Sequence, residues 1–275
     1  MTLVRRSMLG ALGFGLLAAS LALSPAAYAQ QTPQGGILAD VLKRGVLRVA
    51  TIGGNPPYSS LGPDGKPVGY DIDIANLLAE QLKLKIEFTI VDSPGRITAL
   101  QTKRADVTFA NFTANVERSK VIAFTDPYLV VGSIYMVPAN SPIQSVEQLN
   151  DPKYKIGFTR GGTAEGISNS SAPKAQKVRF DTVNDAFLAM QSGQIDSHLQ
   201  DSLQNSDYLA KNPGKFKNLP GNWSYEEISI GLPAGDFDWH RVLNIFVKNL
   251  NASGENNRLF KKWFNYDMPP IQQKF

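Results

Sequence analysis

The chain has 275 residues, 43% hydrophobic and 19% charged, which is typical of a folded globular protein and excludes disordered, collagen-like and coiled-coil chains. The formal charge is +4, and no cluster of lysine and arginine is dense enough to follow a phosphate backbone, which argues against nucleic acid as a partner. The lack of cysteine excludes disulfides and thiolate chemistry, and His198 and His240 have no partner at metal-ligand spacing. We therefore expect no metal and no cofactor.

The first 29 residues have the pattern of an export signal. Arg5 and Arg6 give a basic start, residues 8–23 form an apolar run too short to span a bilayer comfortably, and residues 27–29 form a small-x-small cleavage site. We predict cleavage after Ala29 and a mature protein that is exported to a bacterial periplasm without an anchor. Residues 30–37 are predicted to be a flexible leader.

Beyond the leader, strand-like and helix-like segments alternate, which predicts α/β domains with mostly parallel sheets. The loop at 53–57 is rich in glycine and proline, and an amphipathic helix begins at Asp71. The predicted strands are 47–50, 86–90, 107–110, 155–158, 195–199 and 228–232. The predicted helices are 71–82, 96–101, a short one capped by Asn115, 146–149, 183–191, 237–250 and 255–264.

The common catalytic templates are absent from the sequence: there is no G-x-S-x-G, no G-x-x-x-x-G-K-[ST], no H-E-x-x-H and no G-x-G-x-x-G after a strand. The segment Gly161-Gly162-Thr163 does follow a predicted strand and open a helix. It could hold an anion on its backbone N–H groups, or it could be a plain strand-to-helix turn.

The segment from Asn111 to Arg118 follows the end of a predicted strand, which is where open α/β sheets bind ligands. Thr113 offers a hydroxyl, and Arg118 offers a planar fork that suits a carboxylate. The alternative is a solvated arginine that pairs with Glu117.

Asp201 follows another predicted strand in the second half of the chain. Its carboxylate could receive an ammonium group, or it could cap the next helix. Together, Arg118 and Asp201 would form a clamp for a zwitterion.

Tyr58 could line a pocket or pack in a core, and the core is favoured. Arg96 could be a surface charge or could face the same cleft.

The motifs of this sequence resemble those of the bacterial extracellular solute-binding proteins of family 3, the polar amino-acid receptors of ABC importers. The resemblance covers about residues 38–268, and its nine motifs occur in the family's order. They are residues 45–51, 57–58, 68–75, 99–101, 105–107, 116–118, 124–128, 161–165 and 260–264.

This resemblance implies the two-lobed periplasmic binding protein fold of type II, an α/β fold in which each lobe is a mostly parallel sheet flanked by helices. Lobe 1 is expected at 38–128 and 229–275 and lobe 2 at 133–224, and two hinge strands at 128–132 and 223–228 join them. The resemblance further implies that Arg118 grips the α-carboxylate of an amino acid, that Thr113 and Thr163 add hydrogen bonds, and that Asp201 takes the α-ammonium. The full set of expected ligand-binding residues is Arg118, Thr113, Asn111, Asp201, Thr163, Gly162, Tyr58, Arg96, Asn55, Ser93, Gln200 and Thr159.

A polar or acidic ligand such as glutamate or aspartate is the expected class. Arg96 matches an arginine that meets the side-chain carboxylate in the aspartate/glutamate-binding branch, although Ile52 stands where that branch can carry a second arginine. Asn55 and Ser93 are small and polar where many relatives place an aromatic platform. The expected partners are the amino acid and the membrane permease subunits of an ABC importer, with the protein itself a monomer.

An exported enzyme is the alternative from a different functional class. Cyclohexadienyl dehydratases resemble this family and use a glutamate shortly after the cleft aspartate as general acid. The matching residue here is Gln204, which cannot donate a proton in that way. A binding protein is therefore expected, and not an enzyme.

Overall fold

A computed structural model describes residues 35–271. The predicted signal peptide and most of the predicted leader lie outside the described residues. Within them, no helix combines the length and the apolar character that a bilayer crossing needs.

The helices are α1 Gly36–Arg44, α2 Tyr70–Gln81, α3 Gly95–Gln101, α4 Val116–Ser119, α5 Val146–Leu149, α6 Ala164–Ser171, α7 Val183–Gln191, α8 Ser202–Lys211, α9 Phe237–Ala252 and α10 Glu255–Phe264. The strands are β1 Val46–Ile52, β2 Gly54–Asn55, β3 Ser59–Leu61, β4 Pro67–Val68, β5 Lys85–Val91, β6 Val107–Thr108, β7 Ile122–Val131, β8 Ser133–Pro138, β9 Lys155–Thr159, β10 Gln176–Phe180, β11 Ser197–Asp201, β12 Phe216–Asn218 and β13 Glu226–Pro233.

Two five-stranded sheets organise the molecule, with strand orders β5-β1-β6-β13-β7 and β10-β9-β11-β8-β12. In the first sheet β5, β1 and β6 are parallel, and β13 pairs antiparallel with both β6 and β7. In the second sheet β10, β9 and β11 are parallel, and β8 pairs antiparallel with both β11 and β12. In each sheet four strands therefore run one way and one strand runs the other way. The expected α/β fold with two mostly parallel sheets is confirmed. A small third sheet, β2-β3-β4, was not predicted.

Each large sheet buries both of its faces. Val49 and Ala50 are neighbours on β1 and belong to two separate apolar clusters, and the same holds for Tyr135 and Met136 on β8. This follows from the strand geometry, because successive side chains point to opposite faces of a sheet. Trp239 of α9 is fully buried in the largest cluster. Helices that cover both faces explain why the central strands β1 and β9 bury consecutive side chains.

The chain crosses between the two sheets twice. It leaves the first sheet at the end of β7 and, after the single residue Gly132, enters the second sheet at the start of β8. It returns through residues 219–225 into β13. The crossings are paired, because Glu226 lies opposite Val131 and Ile228 lies opposite Leu129 in an antiparallel ladder.

Several element boundaries differ from the sequence predictions. Helix α1 begins at Gly36, inside the range predicted to be leader. The strand predicted at 195–199 lies at Ser197–Asp201, so Asp201 ends the strand and also caps helix α8. The strand predicted at 107–110 pairs only at Val107 and Thr108, because the chain then leaves the sheet for the loop that contains Asn111.

Close packing of β13 against its neighbours predicts a cost for any side chain at Gly231. A Cβ there would lie 2.6 Å from Thr108 Oγ1 and 2.9 Å from a ring carbon of Phe112. We expect Gly231→Ala to lower the free energy of unfolding by about 1–3 kcal/mol, because an overpacked core must shift its backbone or rotamers. Denaturant unfolding followed by circular dichroism measures this. The matched control is Gly166→Ala in helix α6, where a Cβ meets no atom within 4 Å and alanine is the better helix former. Equal stability of the two variants would contradict the prediction.

Candidate functional site

A cleft lies where the carboxyl ends of the parallel strands of both sheets face each other. These ends carry the loops on which open α/β sheets bind ligands. The residues that follow the strand ends line the cleft: Ile52 from β1, Ser93 after β5, Ala110 and Asn111 after β6, Thr159 and Gly162 from β9, Asp181 and Thr182 after β10, and Asp201 from β11. Asn55, Arg96, Thr113, Arg118, Thr163, Gln200 and Glu226 also line it. The topology thus brings together eleven of the twelve residues expected from sequence.

Tyr58, the twelfth expected residue, has a different position. Its ring is fully buried and packs edge-on against Tyr70 and Phe264, which is the core role that the sequence favoured. Only its hydroxyl reaches the site, where it donates to Asp201 Oδ1 at 3.1 Å. Tyr58 therefore acts on the cleft through Asp201.

Asn111 is held in a left-handed conformation, with a φ of 45°. Asparagine tolerates this region better than most residues. Its backbone N–H donates to Asp71 Oδ2 at 2.6 Å, and its side-chain amide donates to Asp201 Oδ2 at 2.9 Å.

Asp71 is fully buried and also accepts from the Tyr128 hydroxyl at 2.8 Å. Burial raises the pKa of Asp71 to about 7. Asp71 thus fixes the loop at Asn111 from the buried side. The sequence analysis missed this role, and the position of Asp71 in the motif at 68–75 was the signal for it.

Asp201 has the capping role that the sequence offered, and it keeps an oxygen with room for a further partner. It caps helix α8, since its Oδ1 accepts from the backbone N–H groups of Leu203 and Gln204 at 3.1 and 2.9 Å. Among the described residues, its Oδ2 accepts from Asn111 alone, so it can accept a further hydrogen. Burial is the main cause that raises its pKa to about 6, and nearby Glu226 adds to the rise.

Arg118 is buried, with 8% exposure, and is not the solvated arginine of the alternative. Its Nη1 donates to the Thr113 carbonyl at 2.6 Å and its Nη2 donates across the cleft to the Gly161 carbonyl at 3.0 Å. Glu117 pairs instead with Lys120. Within residues 35–271, no carboxylate forms an ion pair with Arg118. Burial lowers its pKa to about 10, and the charge of Glu226 opposes that shift.

Arg96 is also buried, but all three nitrogens of its guanidinium donate hydrogen bonds to other groups of the protein. Nε donates to the Ser93 carbonyl at 2.8 Å, Nη1 donates to the Ala110 carbonyl at 3.0 Å and the Asn111 carbonyl at 3.4 Å, and Nη2 donates to the Ser93 hydroxyl and the Gly161 carbonyl. Burial, reinforced by the charge of Arg118, holds its pKa well below the usual value. The five hydrogen bonds equal the five N–H groups of arginine in number.

Phe112 supports both arginines. The guanidinium carbons of Arg96 and Arg118 lie 4.3 and 4.9 Å from the centre of its ring. Cation–π contact of this kind partly compensates a desolvated cation. Phe112 is itself fully buried, so the two guanidinium groups rest on a fixed surface.

Thr113 and Thr163 both point their hydroxyls at Glu226, which the sequence did not single out. Each donates to Glu226 Oε2, at 2.8 and 2.7 Å. Ser133 and Ser224 donate to Oε1 at 2.6 and 2.7 Å. The signal that could have found Glu226 is its position as an acidic residue inside the predicted return crossing at 223–228.

Gln204 joins the two halves of the cleft at its other end. Its Nε2 donates to Asn55 Oδ1 at 2.5 Å and to the Pro56 carbonyl at 2.9 Å, and its Oε1 accepts from Gln200. The position of the general acid in the enzyme alternative is therefore a buried amide. Thr159 Oγ1 is buried with no hydrogen-bond partner among the described residues. No group of three or more metal-ligating side chains comes together in residues 35–271.

Comparisons with known proteins agree with this architecture. A family model described as bacterial extracellular solute-binding proteins, family 3, matches residues 47–266. The L-arginine-binding protein of Pseudomonas aeruginosa is 27% identical over 236 residues, which cover 81% of this chain and 89% of that protein. The ABC transporter glutamine-binding protein of Bacillus subtilis is 30% identical over 207 residues, covering 74% of this chain and 75% of that protein. These relatives are binding proteins, which confirms the expectation that this chain is not an enzyme.

Solved structures give the same result. The crystal structure of an ancestral amino acid-binding protein, described as a precursor of cyclohexadienyl dehydratase, has a TM-score of 0.78 and 32% identity, and covers 83% of this chain and all of that one. An ancestral arginine-binding protein bound to arginine has a TM-score of 0.75 and 32% identity, and covers 80% of this chain and 99% of that one. The expected type II fold is thereby confirmed. The chain belongs to the bacterial extracellular solute-binding proteins of family 3.

Proposed function

We propose that the cleft binds one zwitterionic amino acid, with its α-carboxylate on Arg118 and its α-ammonium on Asp201. The observation that carries this proposal is a buried guanidinium with no carboxylate partner among the described residues, which shares a cleft with a buried aspartate whose Oδ2 can accept a further hydrogen. A buried charge is costly unless an opposite charge and hydrogen bonds accompany it. An amino acid supplies both opposite charges at once.

The two halves of the molecule would close around the ligand by bending at the paired crossings of β7 and β13. Hydrogen bonds that join the two halves support this, because Arg118 reaches Gly161, Tyr58 reaches Asp201, and Gln204 reaches Asn55. Closure excludes water and strengthens the ion pairs inside. Thr113, Thr163 and Asn111 would add hydrogen bonds, and Asn55, Ser93, Gln200 and Thr159 would surround the side chain of the ligand.

A polar uncharged or cationic side chain is the ligand class we propose, in place of the acidic side chain expected from sequence. The acidic prediction relied on Arg96, but all three of its guanidinium nitrogens donate to protein oxygens. Three buried carboxyl groups, Asp71, Asp201 and Glu226, lie in or under the cleft, against two buried guanidinium groups. Asp181 also lines the cleft, but it is exposed and pairs with Arg160. Relatives named for arginine, glutamine and histidine binding are consistent with this class.

We also propose that the chain is exported to the periplasm after cleavage behind Ala29, and that it delivers its ligand as a monomer to the permease subunits of an ABC importer. The basic start and apolar run of the sequence support export. A matched relative and a matched structure are both named as parts of ABC transporters.

The role of Arg118 is tested by Arg118→Ala, titrated by calorimetry against each of the twenty amino acids alongside the unaltered protein. We expect every amino acid that binds to lose about 2–5 kcal/mol, because a buried charged contact is broken at the part that all amino acids share. The control is Arg241→Ala, an exposed arginine on α9. No heat with any amino acid, or equal affinities for Arg118→Ala and the unaltered protein, would contradict the proposal.

The ligand class is tested with glutamine and glutamate, which have nearly the same size and shape. We expect glutamate to bind at least about tenfold more weakly, because it brings a negative charge to a site with three carboxyl groups and no uncommitted nitrogen on Arg96; tenfold corresponds to about 1.4 kcal/mol. Competition titrations against a common ligand give the ratio directly. Tighter binding of glutamate would restore the acidic class.

Binding should also depend on pH through Asp201. The ammonium needs the ionised carboxylate, so affinity should be highest above the pKa of about 6 and should fall as the pH decreases through that value. Titrations from pH 5 to pH 8 test this. Asp201→Asn should bind more weakly and with a flatter pH profile, because the carboxyl group with a pKa of about 6 is removed. Asp71, which is buried under the cleft and has a pKa of about 7, would account for any residual pH dependence. A profile that is unchanged by the substitution would rule out this role of Asp201.

A further inference from the structure

Glu226 is a buried carboxylate that the proposed function leaves without a role. It is 6% exposed, it begins the return crossing β13, and it lines the same cleft as Arg118 and Asp201. Four hydroxyl groups donate to it, two to each oxygen. No described cation lies within ion-pair distance of it. Four hydroxyl groups therefore hold its side chain, and the charge of Arg118 acts on it from beyond ion-pair distance.

The two oxygens of Glu226 are held by different parts of the site. Oε1 is fixed by Ser133 and Ser224, which flank the two crossings between the sheets. Oε2 extends into the cleft and receives the hydroxyl hydrogens of Thr113, from the first half, and of Thr163, from the second half. The serines keep the side chain in place, so Oε2 stays at the threonines.

A hydroxyl group has a single hydrogen to donate. If a ligand carboxylate accepts from Thr113 and Thr163, both hydroxyls must turn away from Glu226 Oε2. The same carboxylate, placed on Arg118, would also approach Glu226, whose charge already acts on Arg118. Two carboxylates that compete for the same donors in a buried site repel each other, which weakens the binding of the second.

We propose that Glu226 is an internal competitor of the ligand α-carboxylate, which occupies the hydroxyl groups of Thr113 and Thr163 and so weakens binding and speeds release. The inference rests on the proposed function, since it needs a ligand carboxylate at this end of the cleft. A delivery protein benefits from such a group, because a ligand held too tightly is released slowly. Glu226 also joins Thr113 to Thr163, so it links the two halves through the bonds that the ligand would take over.

The test substitutes Glu226→Gln, which keeps the shape and an oxygen acceptor for the serines but removes the charge. Calorimetry with L-arginine, L-glutamine and L-argininamide gives the affinities. We expect the variant to bind L-arginine and L-glutamine about tenfold more tightly than the unaltered protein. L-argininamide, which lacks the carboxylate, should gain less than L-arginine. Glu227→Gln is the matched control: it removes the same charge from the neighbouring, exposed position of β13 and should change nothing.

Thermal unfolding of each variant shows that it is folded, and Glu226→Asp provides a second variant. Aspartate is one methylene shorter and cannot reach the serines and threonines together, so it should also tighten binding, by less than glutamine does. Unchanged or weaker binding by Glu226→Gln, or an equal gain for L-argininamide, would overturn the inference and leave the proposed function standing. If neither the unaltered protein nor any variant binds these compounds, the inference and the proposed ligand class fail together.

Discussion

Buried charge is the constraint on which the rest of this structure depends. Five charged side chains are buried and lie in or under one cleft: Arg96, Arg118, Asp71, Asp201 and Glu226. Removing a charged group from water costs several kcal/mol unless hydrogen bonds and opposite charges replace the solvent. The loops around the cleft are arranged to supply those replacements: backbone carbonyls face the two guanidinium groups, and hydroxyl and N–H groups face the three carboxyl groups.

The fold explains how so many of these groups meet. Parallel strands end at one edge of each sheet, and the two paired crossings turn the two edges toward each other. A loop that follows a strand end is short and fixed at both sides, so its polar groups are positioned by the sheet and not by their own flexibility. Asn111 illustrates this, because its left-handed backbone is held between Asp71 below and Asp201 across the cleft.

Sequence patterns predicted most of the described helices, because the helices that cover the sheets are amphipathic. They predicted six of the thirteen described strands, among them the central strands β1, β6, β9, β11 and β13. They could also place Arg118 and Asp201 after strand ends. They could not show that the guanidinium of Arg96 donates its hydrogen bonds mainly to backbone carbonyl groups, since backbone acceptors carry no sequence signature. The position of Glu226 in the cleft was not predicted for a related reason: a glutamate that begins a strand cannot be told from an ordinary polar residue. The four hydroxyl groups that surround it come from four separate places in the chain.

The raised pKa values of Asp71 and Asp201 connect binding with stability. A carboxyl group whose pKa is higher in the folded protein than in the unfolded chain holds its proton more tightly when folded. The folded state is therefore favoured below the ordinary value of 3.8, and this contribution is lost as the pH rises to about 6 for Asp201 and about 7 for Asp71. At neutral pH Asp201 is mostly ionised and Asp71 is about half ionised, at a cost to the fold. A ligand ammonium at Asp201 would offset part of that cost. The buried charge that destabilises the free protein would therefore favour binding of the ligand. The same reasoning applies with opposite sign to Arg118, whose pKa is lowered by burial and whose charge a ligand carboxylate would stabilise. A cleft that leaves its charges incompletely compensated is thus the physical source of its affinity for a molecule that carries both charges.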